Sequence, residues 1–396
     1  MSSKAHPKAI PAGVIMLGMV SLCMDASSEM IHSLLPVFMV SALGASALAV
    51  GVIEGIAEAT ASITKIFSGV ISDWIGKRKP LVLAGYSMAA FTKPLFPLAH
   101  SIHAMLAARF IDRIGKGIRG APRDALITDL VTKEQHGAAF GLRQSMDTVG
   151  AFLGPVVAMA LMFLTANNYR TVFWIAFIPA FAAVLFIIFG VKEPEKQKHA
   201  APKPFPIQKS ELAKLPASFW VAIVFASVFT LARFSEAFLI LRAGTSGLHP
   251  ALVPLVLIIM NIVYSASAYP VGKLSDGIGK NGLLAGGLAV LVAADLLLAR
   301  GSGLIVVFAG TALWGLHMGM TEGLLSALIA DKAPRDLRGT AFGMFNLLKG
   351  LTGLVASALA GELWVRFGPA ETFIVGAVFA CIALVGLWSV RVRHLK

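Results

Sequence analysis

Apolar runs of about 20 residues recur from Ala12 to Val392, interrupted by short clusters of Gly, Pro, Ser, Asn and charged residues. A bilayer core takes about 20 apolar residues per helix. Set against turn signals, the pattern predicts twelve membrane spans. They lie near 12–40, 46–72, 80–99, 104–130, 138–163, 170–191, 217–241, 250–272, 282–299, 303–330, 339–364 and 370–391. Short breaks such as Ser41–Ala45 and Ala99–Ile102 make tight hairpins between neighbours. The first run is not a cleaved signal peptide, because it is too long, carries Asp25 and Glu29, and lacks a small-residue cleavage site. The one long polar stretch, residues 192–216, divides the spans six and six. It reads as a cytoplasmic linker between an amino-terminal six-helix bundle (1–191) and a carboxy-terminal one (217–396).

The two halves resemble each other. Phe67–Lys79 (FSGVISDWIGKRK) matches Tyr269–Asn281 (YPVGKLSDGIGKN), with Asp73 opposite Asp276. His136–Asp147 matches Arg338–Lys349, and Ser27–Met30 matches Phe234–Ala237, which sets Glu29 opposite Glu236. The order is kept throughout. Duplicated helical units are a mark of transporters, with the substrate site at the interface between repeats. The fold expected is all-α and integral to the membrane: twelve helices in two pseudo-symmetric six-helix bundles.

Composition agrees: 57% of residues are hydrophobic and 14% charged, against about 45–50% and about 25% in soluble domains. A soluble enzyme, a secreted disulfide scaffold and a disordered protein are excluded. Cys23 and Cys381 both fall inside spans and read as packing residues, not a disulfide. The net charge of +13 invites a nucleic-acid partner until it is placed. Alternate loops hold about 20 Lys and Arg, whereas the opposite loops hold only Arg170, Arg242, Arg300 and Arg366. The charge therefore records topology, with both termini in the cytoplasm of a bacterial inner membrane and no nucleic-acid partner. The bilayer is the expected environment and a monomer the expected state.

Charges also fall inside the spans. The bases are Lys65, Lys93, Arg109, Arg113, Lys116, Arg119, Arg123, Arg143, Arg233 and Lys349. The acids are Asp25, Glu29, Glu54, Glu58, Asp112, Asp124, Asp147, Glu236, Asp295 and Glu322. A lipid-exposed charge costs at least about 2.5–3.5 kcal/mol near the bilayer centre, so these must face partners or a watery cavity. On the fourth span Arg109, Asp112, Arg113, Lys116, Arg119 and Arg123 share an arc of about 120°. The second span puts Glu54, Glu58 and Lys65 on one stripe, and the first puts Asp25, Glu29 and His32 on another. The acids of spans one and two can thus neutralise the bases of span four, which would lock the first bundle.

The same groups can carry chemistry. A buried carboxylate beside an arginine can be tuned to exchange protons, and Asp25 and Glu29 near Arg113 are the expected proton-coupling group. Glu236 is the repeat partner of Glu29, and Asp147 and Lys349 can pair across the halves in one conformation. Asp25, Glu29 and His32, with Glu54 or Glu58, supply ligands suited to nickel, cobalt, zinc or iron(II). Arg109, Arg113 and Lys116, with Arg233, suit an anion instead. Against a metal, lone histidines such as His32 and His317 are more often hydrogen-bonded core residues. Asn261, Tyr264 and Tyr269 on span eight can line the cavity, with packing as the commoner role. Gly115-Lys-Gly117-Ile-Arg-Gly120 matches a dinucleotide-binding fingerprint but follows no strand, so its glycines are assigned to helix packing. No motif calls for a cofactor.

Gly69-x-x-x-Asp73-x-x-Gly76-Lys77-Arg78 resembles the loop signature of the major facilitator superfamily, with Trp74 where a base often follows the Asp. Gly272-x-x-x-Asp276-x-x-Gly279-Lys280 is its second copy, with Asn281 in place of another base. Arg113-x-x-x-Gly117-x-x-x-Ala121 resembles the span-four motif. Gly150-x-x-x-Gly154-Pro155 resembles the span-five motif of proton-driven exporters, with Ala158 in place of a Gly. Asp25–Pro36 and Asp112–Asp129 look like the bacterial nickel-resistance permease branch, without the His-rich tail of some members. The resemblance implies alternating access and a cytoplasmic latch at Asp73. The function expected is proton-coupled efflux of a small solute, a divalent metal or its complex first and a small organic compound next. An importer of a small anionic metabolite or siderophore, and a non-transporting sensor or scaffold, stay open as alternatives. An enzyme is not expected.

Overall fold

The computed structural model describes residues 10–132, 135–193, 212–301, 303–334 and 337–393, apart from the side chains of 275–278 and 388–393. Most of the linker, and the Asp276 carboxylate, lie outside the described residues. Regular structure among the described residues is helical throughout. Spans 1 to 6 are Ala12–Leu43, Ala47–Ile75, Lys79–Leu98, Ile102–Leu130, His136–Leu164 and Tyr169–Gly190. Spans 7 to 12 are Ala217–Thr245, Pro250–Leu274, Lys280–Arg300, Leu304–Lys332, Arg338–Phe367 and Pro369–Leu387. Eleven of these helices are apolar and long enough to cross a membrane. Span 4, at 29 residues, is long enough and falls short on hydropathy because of its charges.

Local chemistry sets the ends. Ser46, Ser101 and Asn168 cap spans 2, 4 and 6, their side-chain oxygens accepting the N–H groups of Ala49, Ala104 and Thr171. Gly76 ends span 2 with φ +66°, a left-handed cap that favours glycine. Three spans are broken inside the bundle, which the hydrophobic pattern does not reveal. Span 1 breaks between His32 and Leu35, just before Pro36, and span 3 breaks at Lys93–Pro94. Proline cannot supply the helical N–H, so both breaks have a local cause. Span 7 breaks without one, between Ala232 and Ala237, where Arg233 adopts φ −116°, ψ 75°.

Glycines let the helices touch backbone to backbone. A Cβ on Gly117 would come within 2.9 Å of the Ala61 carbonyl, and one on Gly115 within 2.8 Å of the Gly85 carbonyl. Span 4 is thereby wedged between spans 2 and 3, the helix-packing role expected for its Gly-x-Gly run. The motif glycine Gly154 brings span 5 against span 1, where a Cβ would meet the Ala26 carbonyl at 2.6 Å.

Between the halves, contact is asymmetric. Spans 2 and 11 meet where a Cβ on Gly55 would lie 2.8 Å from Leu354 Cα and one on Gly361 2.6 Å from Leu48 Cα. Gly51 packs on the Ser357 carbonyl along the same seam. Near the Gly44 turn, the rings of Phe163 and His249 stack 6.2 Å apart, joining span 5 to span 8. At the opposite end, which carries the Gly76 and Gly279 turns, Cβ atoms on Gly137, Gly141, Gly279 and Gly339 would meet nothing within 4 Å. The close contacts described between the two bundles lie toward the Gly44 end, from Leu48 to Ser62 of span 2.

Candidate functional site

The intramembrane charges fall into two sets. The first is paired inside the amino-terminal bundle. Arg109 donates to both oxygens of Glu54, from Nε at 3.1 Å and from Nη2 at 2.7 Å. Lys93 Nζ donates to Asp112 at 2.9 Å and to Ser28 Oγ at 3.1 Å. All four charged groups are buried. Span 4 is thus neutralised by span 2, as its stripe required, and also by span 3. Arg123 donates to Ser21 and Tyr86, and the Arg119 guanidinium lies 4.5 Å over the Tyr86 ring. Phe110 and Ile111, on the far face of span 4, are exposed.

The second set lines a cavity between the halves. A chamber of about 380 Å³ is bounded by Glu29, His32, Glu54, Glu58, Arg113 and Lys116 from the first half. Arg233, Glu236, Glu322 and Lys349 close it from the second. A larger space of about 660 Å³ adjoins it, sharing Glu29, Lys116, Ala151 and Asn261, and is lined also by Asp25, Lys65 and Asp147. Within this cavity Asp25, Lys116, Glu236 and Lys349 have no ion-pair partner within 4.0 Å among the described residues. Arg113 reaches Glu58 at 3.4 Å, while its buried Nε has no acceptor. Asp25, Glu236, Lys116 and Lys349, with Lys65 likewise unpaired among the described residues and Arg113 half-satisfied, therefore face one space.

Several expectations change on contact with the geometry. Asp147 bonds Arg143 on its own helix at 3.1 Å and is not joined to Lys349. Glu29 turns to His32 at 3.4 Å instead of pairing with span 4. His32 does not sit in a metal cage: its Nε2 is 3.8 Å from Glu54, whose two oxygens Arg109 already holds. Among the described residues no group of three His, Cys, Asp or Glu side chains is arranged to hold a metal ion. Of the two roles open to Tyr264 and Asn261 the structure shows cavity lining: Tyr264 lines the larger space and donates from its hydroxyl to Glu322 at 2.9 Å, and Asn261 borders both spaces. Glu322 also accepts from Arg233 at 2.7 Å, a pair that no sequence spacing announced.

At the Gly76 end the loop motif is a small charge network. Arg78 donates to Asp73 at 2.6 Å and Ser72 at 2.8 Å, and reaches Asp129 at the end of span 4 at 3.4 Å. Glu193, just beyond span 6, accepts the backbone N–H groups of Arg78 and Lys79 at 2.7 and 2.8 Å. An anion there suits the start of the span 3 helix. Sequence reasoning missed Glu193 and Asp129. Asp129 had a signal: it ends ALITD, which the second half repeats as ALIAD up to Asp331. Lys280, the repeat counterpart of Lys77, holds Asp331 at 2.5 Å, whereas in the first half it is Arg78 that reaches Asp129. Gly69 sits against Ala121, where a Cβ would stand 3.3 Å away, and Lys77 has no described ion pair.

A two-bundle helical membrane protein with a charged cavity between its halves has the architecture of a transporter. A family model of the Major Facilitator Superfamily matches residues 17–357, and the chain belongs to that superfamily. It is 32% identical over 387 residues to the "Uncharacterized MFS-type transporter MJ1317" of Methanocaldococcus jannaschii, covering 96% of this chain and 94% of that one. It is 26% identical to the "Inner membrane transport protein YajR" of Escherichia coli, covering 86% and 75%. Among solved structures, that of a point mutant of the nucleoside transporter NupG superposes with a TM-score of 0.80 at 14% identity, covering 95% and 98%.

Proposed function

We propose that the protein is a proton-driven exporter of a small organic solute carrying both signs of charge, acting as a single chain. It works in the inner membrane, with its termini and the Gly76 loop in the cytoplasm; the excess of Lys and Arg on that side supports this. The reading rests on one observation above the others: Asp25, Lys116, Glu236 and Lys349 face the cavity with no ion-pair partner among the described residues. Charges kept in a membrane protein without partners mark ion and substrate paths. Glu54, Arg109, Lys93 and Asp112, by contrast, are spent on one another and hold the bundle.

A bare divalent ion would meet Glu29, His32 and Glu54 already engaged with each other or with Arg109. A charged organic molecule, or a metal carried as its chelate, uses acids and bases together. Its anionic group would lie on Arg113 and Lys116, and its cationic group on Glu236 or Asp25 in exchange for a proton. The likeness of spans 1 and 4 to the nickel-resistance branch is carried partly by Asp25, Glu29, Arg113 and Lys116, which face this cavity. Export is favoured by the Gly150-x-x-x-Gly154-Pro155 resemblance. The halves would rock about the seam of spans 2 and 11, with solute loaded at the Gly76 end and protons taken up at the other.

The test is reconstitution into liposomes under a pH gradient, with amino acids, dicarboxylates, citrate chelates, cationic dyes and free nickel as probes. A zwitterionic or chelated probe should move with protons, and Asp25→Asn or Glu236→Gln should each weaken that coupling by about tenfold or more. Identical accumulation with and without the gradient overturns the proton drive. Anion uptake lost in Arg113→Ala and untouched in Glu236→Gln establishes the importer instead. Asp73→Asn should lower transport while the protein still inserts, because Arg78 loses its closest acceptor. Undiminished transport in that variant removes the latch.

A further inference from the structure

Three intramembrane acids lie outside the cavity; Asp112 and Asp124 are paired with Lys93 and Arg123, and the third is not. Asp295, on span 9, is 0% exposed, and neither carboxylate oxygen has a hydrogen-bond partner among the described residues. Span 9 packs on spans 10 and 12, touches span 8, and accepts hydrogen bonds from Arg242 of span 7. The titratable groups these bring nearest are otherwise engaged. His317 on span 10 is bonded through Nδ1 to the Gly287 carbonyl. Arg242 on span 7 donates to the carbonyls of Leu298 and Gly301. Arg233, at the break of span 7, holds Glu322, which also bonds Tyr264 of span 8. Glu236 faces the cavity, and Glu371 lies in the first turn of span 12. None of them bonds Asp295.

An ionised carboxylate so placed would lack both solvent and counter-charge, which is prohibitive in a dry interior. The surroundings are nevertheless built to hold the group. Gly376 on span 12 leaves it room: a Cβ there would stand 2.9 Å from Asp295 Oδ2 and 3.0 Å from a ring carbon of Phe234. The facing turn of span 10 is fixed by Gly310, where a Cβ would lie 3.3 Å from the Ala294 carbonyl. That turn carries Thr311 and, one turn on, Trp314; the hydroxyl oxygen and the indole nitrogen are buried without partners. Phe234 sits in the break of span 7, packs on Trp314 at 5.4 Å and also lines the central cavity. Phe234, at a broken helix, thus borders both the cavity and the surroundings of the isolated acid.

We propose that Asp295 is a second proton-binding site, outside the central cavity, which exchanges its proton with cavity water when Phe234 moves at the break of span 7. The carboxyl O–H bond breaks, the proton passes to water, and the carboxylate turns to the free O–H of Thr311 and N–H of Trp314. Return of the proton reverses each step. Movement of span 7 and protonation of the second half are thereby tied together, whatever solute occupies the cavity.

Infrared difference spectroscopy of the full chain in lipid tests this without a substrate. Spectra would be taken while pH is stepped from about 5 to about 9 and after exchange into heavy water. Wild type should show a protonated-carboxyl band that shifts in heavy water and is missing in Asp295→Asn. Phe234→Ala should speed deuteration of that band by about tenfold or more, with Phe234→Leu as a second variant if the first does not fold. Glu29→Gln should leave the band in place, so the result stands apart from the fate of proton-driven export. No band sensitive to Asp295→Asn, or deuteration at one rate in wild type and both Phe234 variants, overturns the proposal.

Discussion

Gly55→Leu should abolish transport while leaving the protein folded and inserted. The seam between spans 2 and 11 depends on contact so close that a Cβ at residue 55 would sit 2.8 Å from Leu354 Cα. Backbone cannot step aside as a flexible side chain can. Overpacking of this kind costs about 1–3 kcal/mol, and backbone contact puts it at the upper end. A penalty of about 3 kcal/mol borne only by the state packed toward the Gly44 end moves the balance of states by roughly 150-fold. Spin labels at the exposed positions 41 and 245, on spans 1 and 7 near that end, report the change. Their separation should lengthen in Gly55→Leu, and an unchanged distance distribution would show that the seam yields elsewhere. Gly55→Ala should have the same sign and a smaller effect.

The second large effect is on stability. Asp112→Ala leaves the Lys93 ammonium buried without a counter-charge, with Ser28 Oγ and the Phe96 ring as its remaining partners. Breaking a buried pair by removing one partner costs about 3–5 kcal/mol, whereas replacing both by apolar groups of similar size is often neutral or better. Thermal unfolding in detergent should therefore show a large drop for Asp112→Ala and recovery of most of it in Lys93→Met/Asp112→Leu. The double variant should also keep transport, because neither residue lines the cavity. Loss of transport in a stable double variant would move this pair into the machinery.

Both results turn on a distinction that periodicity does not make. The stripe on span 4 was readable from one helix, since residues three and four apart share a face whatever surrounds them. Which of its charges are neutralised was not readable. That depends on the height at which spans 2 and 3 cross it, and glycine contacts at Gly115 and Gly117 set that height. Arg109 thereby meets Glu54, and Lys93 meets Asp112, while Lys116, on the same arc, is left facing the cavity. Glu193 escaped notice for a related reason: its partners are backbone N–H groups more than a hundred residues away, which leave no mark in side-chain spacing.

The sequence by itself determined the spans, their grouping six and six, the internal repeat and the loop signature. Each follows from local quantities: the length of an apolar run, the face of a helix, the residues of a turn. Only the tertiary structure decided which charges hold the bundle and which remain free in the cavity, that the halves meet at the Gly44 end, and that Asp295 is alone. Pairing of buried charges is a property of two helices at once, and a residue's isolation is a property of all its neighbours. Neither can be read from one strand of text until the packing brings the others to it.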